Sequence, residues 1–348
     1  MLRKVRIQNF KSLKDVTLEL QKVNLLIGPN NSGKSNFLKG LEFFTKKDKS
    51  GYNPGLIFKK NLDNILSLAF YVENDEKKKL IKYEGLAGEF GLFESEEINK
   101  NLLDSNLEET LIKNVNDLIP SNIEELKIYK PNPTIFIKPL PLASNDDLND
   151  DCSNLITFLY TLSTNNKKAY RKLEEDFAKC VGDLIEISTP PVNTEAGGKL
   201  SLKFFDKDGE GYWADEVSEG VLYFLALLCI IHQPNPPKLL LLEEPEKGIH
   251  PRRIREVIDF IFQLVEEKDI QVIMTTHSER VLDEFEDIPE SVFVFDKDEE
   301  GATQVKNLLK DIIEPSNIKM ESLGLPRIKF TESLGSHWVT GFIGGVPK

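Results

Sequence analysis

The strongest constraint on the fold is the octapeptide at residues 28–35, which has the sequence Gly-Pro-Asn-Asn-Ser-Gly-Lys-Ser. The Gly-x-x-x-x-Gly-Lys-Ser spacing is typical of a loop that wraps the phosphates of a nucleotide. Gly28 and Gly33 allow the tight backbone path that turns N–H groups toward phosphate oxygens, and Lys34 supplies a cation. Ser35 is predicted to ligate Mg²⁺, and the helix beginning near Gly33 directs its positive dipole end at the phosphates. The sequence therefore predicts that the chain binds ATP or GTP. The predicted nucleotide-binding residues are Gly28, Pro29, Asn30, Asn31, Ser32, Gly33, Lys34, Ser35 and Asn36.

Strands and helices are expected on both sides of this loop. Residues 23–27 form an apolar run typical of a buried strand, and residues 35–44 have a helical pattern. Beyond residue 199 the pattern alternates again, with a helix at 218–232, a strand at 239–242, a helix at 252–268 and a strand at 271–275. This alternation is typical of a parallel sheet covered by helices. We therefore expect an α/β fold in which the late half of the chain joins the early half.

The composition excludes several classes of protein. With 348 residues, 40% hydrophobic and 29% charged, the chain is long enough for one large domain or two modest ones. Its longest apolar run, residues 221–231, is too short to span a bilayer, and its first six residues lack the apolar core of a signal peptide. Cys152, Cys180 and Cys229 lack the spacing of a metal site. These features favour a reduced, cytoplasmic protein without membrane contact.

The charge is distributed unevenly along the chain. The net charge of −13 argues against a protein that coats nucleic acid, yet residues 1–60 carry +9 and the remainder −22. A basic lobe on an acidic body could meet a phosphate backbone, which makes DNA a candidate partner. The alternative is that the lysines at 46, 47, 49, 59 and 60 are solvated loop residues.

Three regions are predicted along the chain. Short strands at 3–10 and 16–20 and a hairpin at 67–72 and 80–83 accompany the phosphate loop. Helical blocks follow at 94–122 and 152–181, with a proline-rich connector between them. The expected division is an N-terminal lobe at 1–90, a mainly helical insert at 91–198 and a C-terminal lobe at 199–348.

An acidic pair follows a run of four leucines at residues 239–242. In a P-loop fold the end of such a strand holds the Mg²⁺ and the attacking water. Glu243 is predicted to anchor the Mg²⁺ shell and Glu244 to polarise the water. The alternative is a strand that merely ends in surface acids, but the four leucines indicate a strand from the core.

A histidine and a helix start are further candidates. His277 follows the apolar run 272–274, and the carboxyl edge of a parallel sheet faces the ligand crevice. Ser218 and Gly220 begin the 218–232 helix, where an anion could bind. The alternatives are a structural histidine and an ordinary N-cap.

The order of these motifs resembles that of the ABC-type ATPases of the SMC/RecF/OLD group, especially small stand-alone bacterial ATPases found in phage-defence systems. The shared motifs are Ile-Gln-Asn-Phe-Lys-Ser at 7–12, Gly-Lys-Ser-Asn at 33–36, Glu-Glu-Pro-Glu at 243–246 and Gly-x-His-Pro at 248–251. The resemblance covers residues 1–90 and 200–310.

The resemblance implies an ABC-type P-loop fold with a mixed central sheet, flanking antiparallel strands and a helical insert. It implies a slow, assembly-dependent ATPase that uses ATP and Mg²⁺, with Glu244, His277 and Lys34 as catalytic residues. By the same resemblance, the signature serine of one subunit caps the γ-phosphate held by another, so ATP joins two protomers and hydrolysis releases them. The implied motif residues are Ser218, Glu219 and Gly220 in the signature, Glu243 and Glu244 in Walker B, Glu246, Gly248 and His250 in the D-loop, and His277 as the switch histidine.

The sequence departs from the family pattern at three points. Transporter ATPases have Asp at the position of Glu243, and the Glu found here is similar to the OLD-like branch. The signature lacks the usual second Gly and the Gln. No glutamine occurs between Gln21 and Gln233, so the Q-loop residue is missing, and Asn145 or Asp146 is a candidate to replace it.

Two late segments have more than one interpretation. Asp296 and Asp298 resemble the Asp-x-Asp strand of a Toprim nuclease, whose acids could bind Mg²⁺, but a β-hairpin turn is the favoured interpretation. The glycine-rich, aromatic residues 330–348 either pack on the ATPase or dock a partner.

Three functions follow as hypotheses. The leading one is an ATP-driven switch that senses or clamps DNA and controls a protein effector, a nuclease or a toxin, in antiphage defence. The alternative is a RecF-like clamp for DNA repair. A transporter ATPase is disfavoured by the Glu-Glu-Pro-Glu motif and the missing Q-loop glutamine.

Overall fold

The computed structural model describes residues 1–45, 56–60, 65–73, 78–86, 89–95, 126–194, 197–247, 249–326 and 333–346. Its strands are β1 Leu2–Phe10, β2 Leu13–Glu19, β3 Val23–Ile27, β4 Leu66–Glu73, β5 Lys78–Leu86, β6 Glu89–Ser95, β7 Ile128–Tyr129, β8 Leu140–Pro141, β9 Leu184–Ser188, β10 Pro191–Thr194, β11 Gly197–Leu200, β12 Lys203–Asp206, β13 Gly211–Trp213, β14 Leu239–Glu243, β15 Gln271–Thr275, β16 Val292–Lys297 and β17 Thr303–Asn307. Its α-helices are α1 Lys34–Thr45, α2 Pro133–Phe136, α3 Leu155–Asn165, α4 Lys167–Val181, α5 Glu219–Ile231, α6 Ile254–Lys268, α7 Glu279–Asp283, α8 Glu314–Ser322 and α9 Leu334–Val339.

The chain forms two compact units. The first contains residues 1–128, 238–243 and 268–348, and the second contains residues 129–237 and 244–267. The chain therefore enters each unit more than once. The division at 1–90, 91–198 and 199–348 drawn from the sequence stays a prediction.

A six-stranded mixed sheet forms the centre of the first unit. Its strand order is β17-β16-β3-β15-β14-β7. Strands β16, β3, β15 and β14 run parallel, whereas β17 pairs antiparallel with β16. All five residues of β3 and of β15 are buried, as expected for parallel strands covered on both faces. The expected mixed α/β sheet is confirmed.

A second sheet of the first unit is antiparallel, with the order β2-β1-β4-β5-β6. Helix α1 shares one apolar core with both sheets, through Phe37 and Leu41 of the helix, Ile7 of β1 and Phe295 of β16. The rings of Phe37 and Phe295 meet edge to face with their centroids 6.2 Å apart. This core fixes the helix that begins directly after the phosphate loop.

Two buried side-chain amides join the strands of the first unit at their amino ends. Gln271 of β15 accepts a hydrogen bond from the N–H of Leu2 at 2.9 Å and donates to the carbonyls of Leu2 and Gln21 at 2.8 and 2.7 Å. Asn24 of β3 donates to the carbonyls of Gln21 and Val272 at 2.8 and 3.1 Å. Both amides belong to otherwise apolar strands. Their hydrogen bonds link β3 to β15 and link β15 to Leu2 at the start of β1.

The second unit contains helices α2 to α6 and two three-stranded sheets, of orders β10-β11-β8 and β13-β12-β9. Asn166 separates α3 from α4, because its side chain caps α4 by accepting from the N–H of Ala169 at 3.1 Å. The buried carboxylate of Asp176 on α4 lies 3.1 Å from Nε2 of His232, which follows α5. This contact joins two helices of the unit.

Most of the strands and helices expected from the sequence are confirmed. The structure contains, with shifts of a few residues, the strands expected at 3–10, 16–20, 67–72, 80–83, 239–242 and 271–275. It also contains the helices expected at 152–181, 218–232 and 252–268. The predicted start of the first helical block, at residue 94, is wrong. Glu94 and Ser95 are the last residues of β6 and pair with Ile81 and Leu80 of β5. The rest of that helical block, residues 96–122, lies outside the described residues, as does the hairpin turn at 74–77.

Candidate functional site

The carboxyl ends of four parallel strands meet at one edge of the central sheet. Pairing places Glu243 opposite Thr275, Thr275 opposite Leu26, and Ile27 opposite Val294. The N–H of Thr276 also donates to the carbonyl of Leu26 at 3.1 Å. The edge of an open parallel sheet at its carboxyl ends is where α/β proteins bind ligands.

The phosphate loop follows β3 at this edge. Gly28 and Gly33 have φ values of 143° and 113°, a region that favours glycine. A Cβ at Gly28 would collide with the carbonyl oxygen of Phe295, and one at Gly33 would collide with the hydroxyl of Thr303. Both glycines are thus required by the backbone angle and by the closeness of neighbouring strands. Between them, Asn31 also has a positive φ, of 66°.

Lys34 is buried and reaches back across the loop. Its ammonium donates to the carbonyl oxygens of Gly28 at 2.6 Å and Pro29 at 3.0 Å. Ser32 is also buried, and its hydroxyl has no hydrogen-bond partner among the described residues. A buried cation and an unsatisfied hydroxyl inside one glycine loop fit a phosphate group, which accepts hydrogen bonds from both.

Ser35 lies in the first turn of α1 and contacts the first residue of the acidic pair. Its hydroxyl donates to the Glu243 carboxylate at the end of β14. Among the described residues, no three His, Cys, Asp or Glu side chains form a metal cluster. A hydroxyl and a single carboxylate are nevertheless the oxygen donors that Mg²⁺ takes when the remaining ligands are phosphates and water. The two side chains therefore fit the predicted metal role.

Glu244 directly follows Glu243 in the chain. Its φ is 51°, a left-handed conformation that costs a non-glycine residue about 1–2 kcal/mol. Its carboxylate lies 3.4 Å from the ammonium of Lys247, whose side chain is 80% exposed. Strained backbone of this kind is concentrated at functional sites, which agrees with the role predicted for Glu244.

His277 is exposed and follows β15 at the same edge of the sheet. The turn that carries it is held by the N–H of Ser278, which donates to the Thr276 hydroxyl at 2.9 Å. The position at a strand end agrees with the prediction for a switch histidine.

The predicted signature belongs to the second unit. Ser218 is exposed and caps α5, because its hydroxyl accepts from the N–H of Val221 at 3.4 Å. Glu219 is exposed in the first turn, and a Cβ on the buried Gly220 would lie 3.6 Å from Cδ of Arg253. The motif therefore presents the amino end of a helix, as an anion site requires.

The predicted D-loop also lies in the second unit. The N–H of Ile249 donates to the carbonyl of Glu246 at 3.0 Å, and the ring of His250 caps the turn before α6 by accepting from the N–H of Arg252 at 3.3 Å. Gly248 lies outside the described residues. Of the candidates for the missing Q-loop residue, Asn145 bonds to Thr157 of α3 at 2.7 Å, and Asp146 is exposed.

Asp296 and Asp298 do not form a nuclease motif. Strands β16 and β17 pair as a hairpin, and Asp298 organises its turn by accepting from the N–H groups of Glu300 at 3.0 Å and Ala302 at 2.8 Å. The favoured hairpin is confirmed.

Sequence reasoning missed two features around the phosphate loop. One is a hydrogen-bond chain through Ser12, Asn36 and Thr303, in which the Asn36 amide donates to Ser12. The other is a cavity of about 360 Å³, lined by Pro29, Asn30, Asn31, Ser32, Asp296, Lys297 and Val346. Neither has a periodic signal, because the residues come together from distant parts of the chain.

The segment 333–346 packs against the rest of the first unit, as one of the two interpretations expected, and docking of a partner stays a prediction. The N–H of Gly335 donates to Asp283 at 2.8 Å, and the indole of Trp338 donates to the carbonyl of Gly345 at 2.9 Å. A Cβ on Gly345 would lie 2.6 Å from Cγ1 of Val294 and 3.5 Å from Cα of Gly28. The segment thus lies directly beside the phosphate loop.

Several basic side chains of residues 1–60 are paired. Arg6 bonds Asp15 at 2.7 Å, and Lys14 and Lys59 each lie 3.5 Å from the carboxylate of Glu300. Burial lowers the pKa of Lys11, and the positive charge of Lys39 lowers it further. Lys46, Lys47 and Lys49 lie outside the described residues.

A family model described as "AAA domain, putative AbiEii toxin, Type IV TA system" matches residues 23–283. The chain belongs to this family. The match includes the phosphate loop, the acidic pair and His277.

A curated relative and solved structures agree with the family. The "ATP/GTP phosphatase" of Helicobacter pylori is 25% identical over 334 residues, which covers 81% of this chain and 87% of that protein. The SMC head domain from Thermotoga maritima has a TM-score of 0.55 at 12% identity and covers 88% of this chain and 98% of its own. An Smc head domain bound to the C-terminal domain of ScpA derived from Pyrococcus furiosus has a TM-score of 0.55 at 15% identity, covering 92% and 99% of the two chains.

The chain therefore contains an AAA-type ATPase domain, and its fold is that of Smc head domains. Within the described part of the chain, no helix has the length and apolar character to cross a membrane.

Proposed function

We propose that this ATPase is a molecular switch: its chains assemble across shared nucleotide sites, and the assembly controls a protein effector in antiphage defence. The proposal is carried by two separate observations: the first unit has a glycine loop whose Ser35 bonds the Glu243 carboxylate, and the second unit has a helix capped by Ser218. The family description names a toxin of a type IV toxin–antitoxin system, which supports an effector role. The solved Smc head bound to a domain of ScpA supports the binding of a protein partner.

In this proposal the phosphate loop, Lys34 and Ser32 bind the phosphates of ATP. Ser35 and Glu243 would hold Mg²⁺, which offsets the negative charge that develops during phosphoryl transfer. Glu244 accepts a proton from the attacking water after its carboxylate turns away from Lys247, and His277 senses the γ-phosphate.

Shared sites are tested best by complementation between two inactive chains. Lys34→Ala removes the phosphate-loop cation, and Ser218→Arg blocks the signature helix. Each variant alone is expected to lose ATP hydrolysis. In a two-fold dimer an equal mixture should regain about a quarter of wild-type activity, because half the dimers are mixed and each has one intact site.

The matched control mixes Lys34→Ala with the double variant Lys34→Ala/Ser218→Arg. No dimer in this mixture has an intact phosphate loop, so no nucleotide site is complete. A mixture of the two single variants that stays as inactive as this control would contradict shared sites. An active Ser218→Arg chain would contradict the signature assignment.

DNA sensing is a separate part of the proposal. The +9 charge of residues 1–60 supports it. Neutralising Lys46, Lys47 and Lys49 with Gln should abolish DNA stimulation of ATP hydrolysis and leave basal turnover unchanged. Wild-type protein that DNA does not stimulate would indicate a switch that responds to protein alone.

The effector is identified by co-purification from the native operon. A nuclease or toxin that co-purifies in an ATP-dependent manner is the expected result. DNA stimulation without any such protein would favour the RecF-like repair clamp instead.

A further inference from the structure

Thr303, the first residue of β17, lies behind the phosphate loop with only 1% of its surface exposed. Its hydroxyl donates to the carbonyl oxygen of Ser32 at 2.9 Å. The same hydroxyl lies 2.8 Å from the hydroxyl of Ser12, in the turn between β1 and β2. The side-chain amide of Asn36 on α1 donates to Ser12 at 2.8 Å. A continuous hydrogen-bond chain thus joins four separate segments.

Proton counting gives this chain one direction. The Ser32 carbonyl can only accept, so it takes the single hydroxyl proton of Thr303. The bond between the two hydroxyls therefore uses the proton of Ser12, and Ser12 in turn accepts from Asn36. Donation runs from Asn36 through Ser12 and Thr303 to Ser32. Aligned hydrogen bonds of this kind strengthen one another in a low-dielectric interior.

The chain fixes the orientation of the peptide bond between Ser32 and Gly33. In a trans peptide the carbonyl of Ser32 and the N–H of Gly33 point in opposite directions. Because Thr303 holds the carbonyl on its own side, the N–H of Gly33 points away from Thr303, toward the other side of the loop. The N–H of Thr303 donates to the carbonyl of Ser12 at 2.8 Å, which keeps the two hydroxyl residues together.

Steric contact adds to the hydrogen bonds. A Cβ on Gly33 would lie 2.9 Å from Cγ2 of Thr303 and 3.0 Å from the Ser12 hydroxyl, so the loop rests directly on this pair. The peptide of Ser32 and Gly33 therefore has little freedom to rotate.

We propose that Thr303 is a positioning residue for nucleotide binding, whose hydroxyl orients the peptide between Ser32 and Gly33 toward the phosphates. The inference rests on the proposed role of residues 28–35 as the nucleotide loop. Thr303 contacts the loop and Ser12, and it acts on ATP through the loop.

The test compares Thr303→Val, which keeps the shape and removes the hydroxyl, with Thr303→Ser, which keeps the hydroxyl. Dissociation constants are measured with a fluorescent ATP analogue, and turnover is measured in the same preparations. Thr303→Val should weaken binding and raise KM about ten-fold with kcat nearly unchanged, because an oriented N–H binds substrate and transition state alike. Thr303→Ser should bind within about two-fold of wild type, because a hydroxyl donor is restored.

Ser12→Ala provides a second variant if Thr303→Val does not fold. It removes the donor to Thr303 and leaves Thr303 in place, so a smaller loss of affinity, about three-fold, is expected. Wild-type affinity in both Thr303→Val and Ser12→Ala would overturn the inference. Equal losses in Thr303→Val and Thr303→Ser would also overturn it, because packing of the methyl group would then be responsible.

Hydrogen exchange without nucleotide separates this inference from the proposed function. If the wild-type protein fails to bind ATP, the nucleotide assignment is wrong. Faster exchange of the 28–33 amides in Thr303→Val would in that case still support the hydrogen-bond chain. If the wild type binds ATP normally and Thr303→Val has unchanged amide exchange and unchanged affinity for ATP, only the positioning role is contradicted.

Discussion

Gly345 and Gly344 form a natural pair for testing whether the 333–346 segment rests on the phosphate loop. Both have left-handed φ angles, 67° for Gly345 and 77° for Gly344. A Cβ at Gly345 would lie 2.6 Å from Cγ1 of Val294, whereas a Cβ at Gly344 meets no atom within 4 Å. The two Gly→Ala substitutions therefore share the backbone strain and differ in the steric contact.

The expected magnitudes follow from these two terms. The left-handed conformation should cost either alanine variant about 1–2 kcal/mol. The contact with Val294 should cost Gly345→Ala about 1–3 kcal/mol more, as overpacking does in other cores. The total loss is limited by the free energy that docks the segment, because the segment can release as a unit once docking is unfavourable.

Tryptophan fluorescence reports this release. The chain has two tryptophans, so a Trp213→Phe background leaves only Trp338, which is 7% exposed and bonded to Gly345. Gly345→Ala should shift the Trp338 emission toward that of a solvated indole at lower denaturant concentration than Gly344→Ala does. Hydrogen exchange should accelerate at residues 28–33 in Gly345→Ala, because the segment lies beside Gly28. Equal effects of the two substitutions, or an unchanged phosphate loop, would refute the proposed packing.

Two further substitutions test the sheet and its carboxyl edge. Gln271→Met removes the partners of one N–H and two carbonyls in Leu2 and Gln21, and it should lower the free energy of unfolding by about 3–5 kcal/mol in urea denaturation. Glu243→Gln replaces the carboxylate beside Ser35 with a neutral amide, and it should raise the Mg²⁺ concentration for half-maximal ATP hydrolysis about 10- to 100-fold.

Each of these has a matched control. Gln263→Met makes the same change at an exposed position on α6, where the amide bonds Glu267, and should change stability by less than about 0.5 kcal/mol. A Gln271→Met protein as stable as this control would contradict the buried clamp. For Glu243→Gln, ATP hydrolysis with an unchanged Mg²⁺ requirement would exclude this carboxylate from the metal site.

The sequence predicted the parts of the site that have local patterns. The loop at 28–35 has fixed spacing, and the four leucines before Glu243 mark a buried strand because parallel strands are apolar on both faces. The same logic predicted β15 with its ends correct. These features depend on neighbours in the chain, so a single sequence reveals them.

The parts that were missed depend on contacts between distant residues. Thr303 and Ser12 are separated by 291 positions, and a hydroxyl at the start of a strand has no periodic signature. Gln271 and Asn24 are polar residues in apolar strands, which indicates buried partners but does not identify them. Glu94 and Ser95, the last two residues of β6, were expected to begin a helix. Their pairing with β5 makes them part of a strand, and no local pattern reveals that pairing.

The most direct test of the central claim is single-turnover hydrolysis of ATP by Glu244→Gln, with enzyme in excess and Mg²⁺ saturating. The variant should bind ATP normally and hydrolyse it about 10²- to 10⁴-fold more slowly, because the base for the attacking water is lost. Glu279→Gln makes the same change at an exposed carboxylate of α7 and should hydrolyse ATP at the wild-type rate. Wild-type hydrolysis by Glu244→Gln would contradict the assignment of the acidic pair as the catalytic edge of this ATPase.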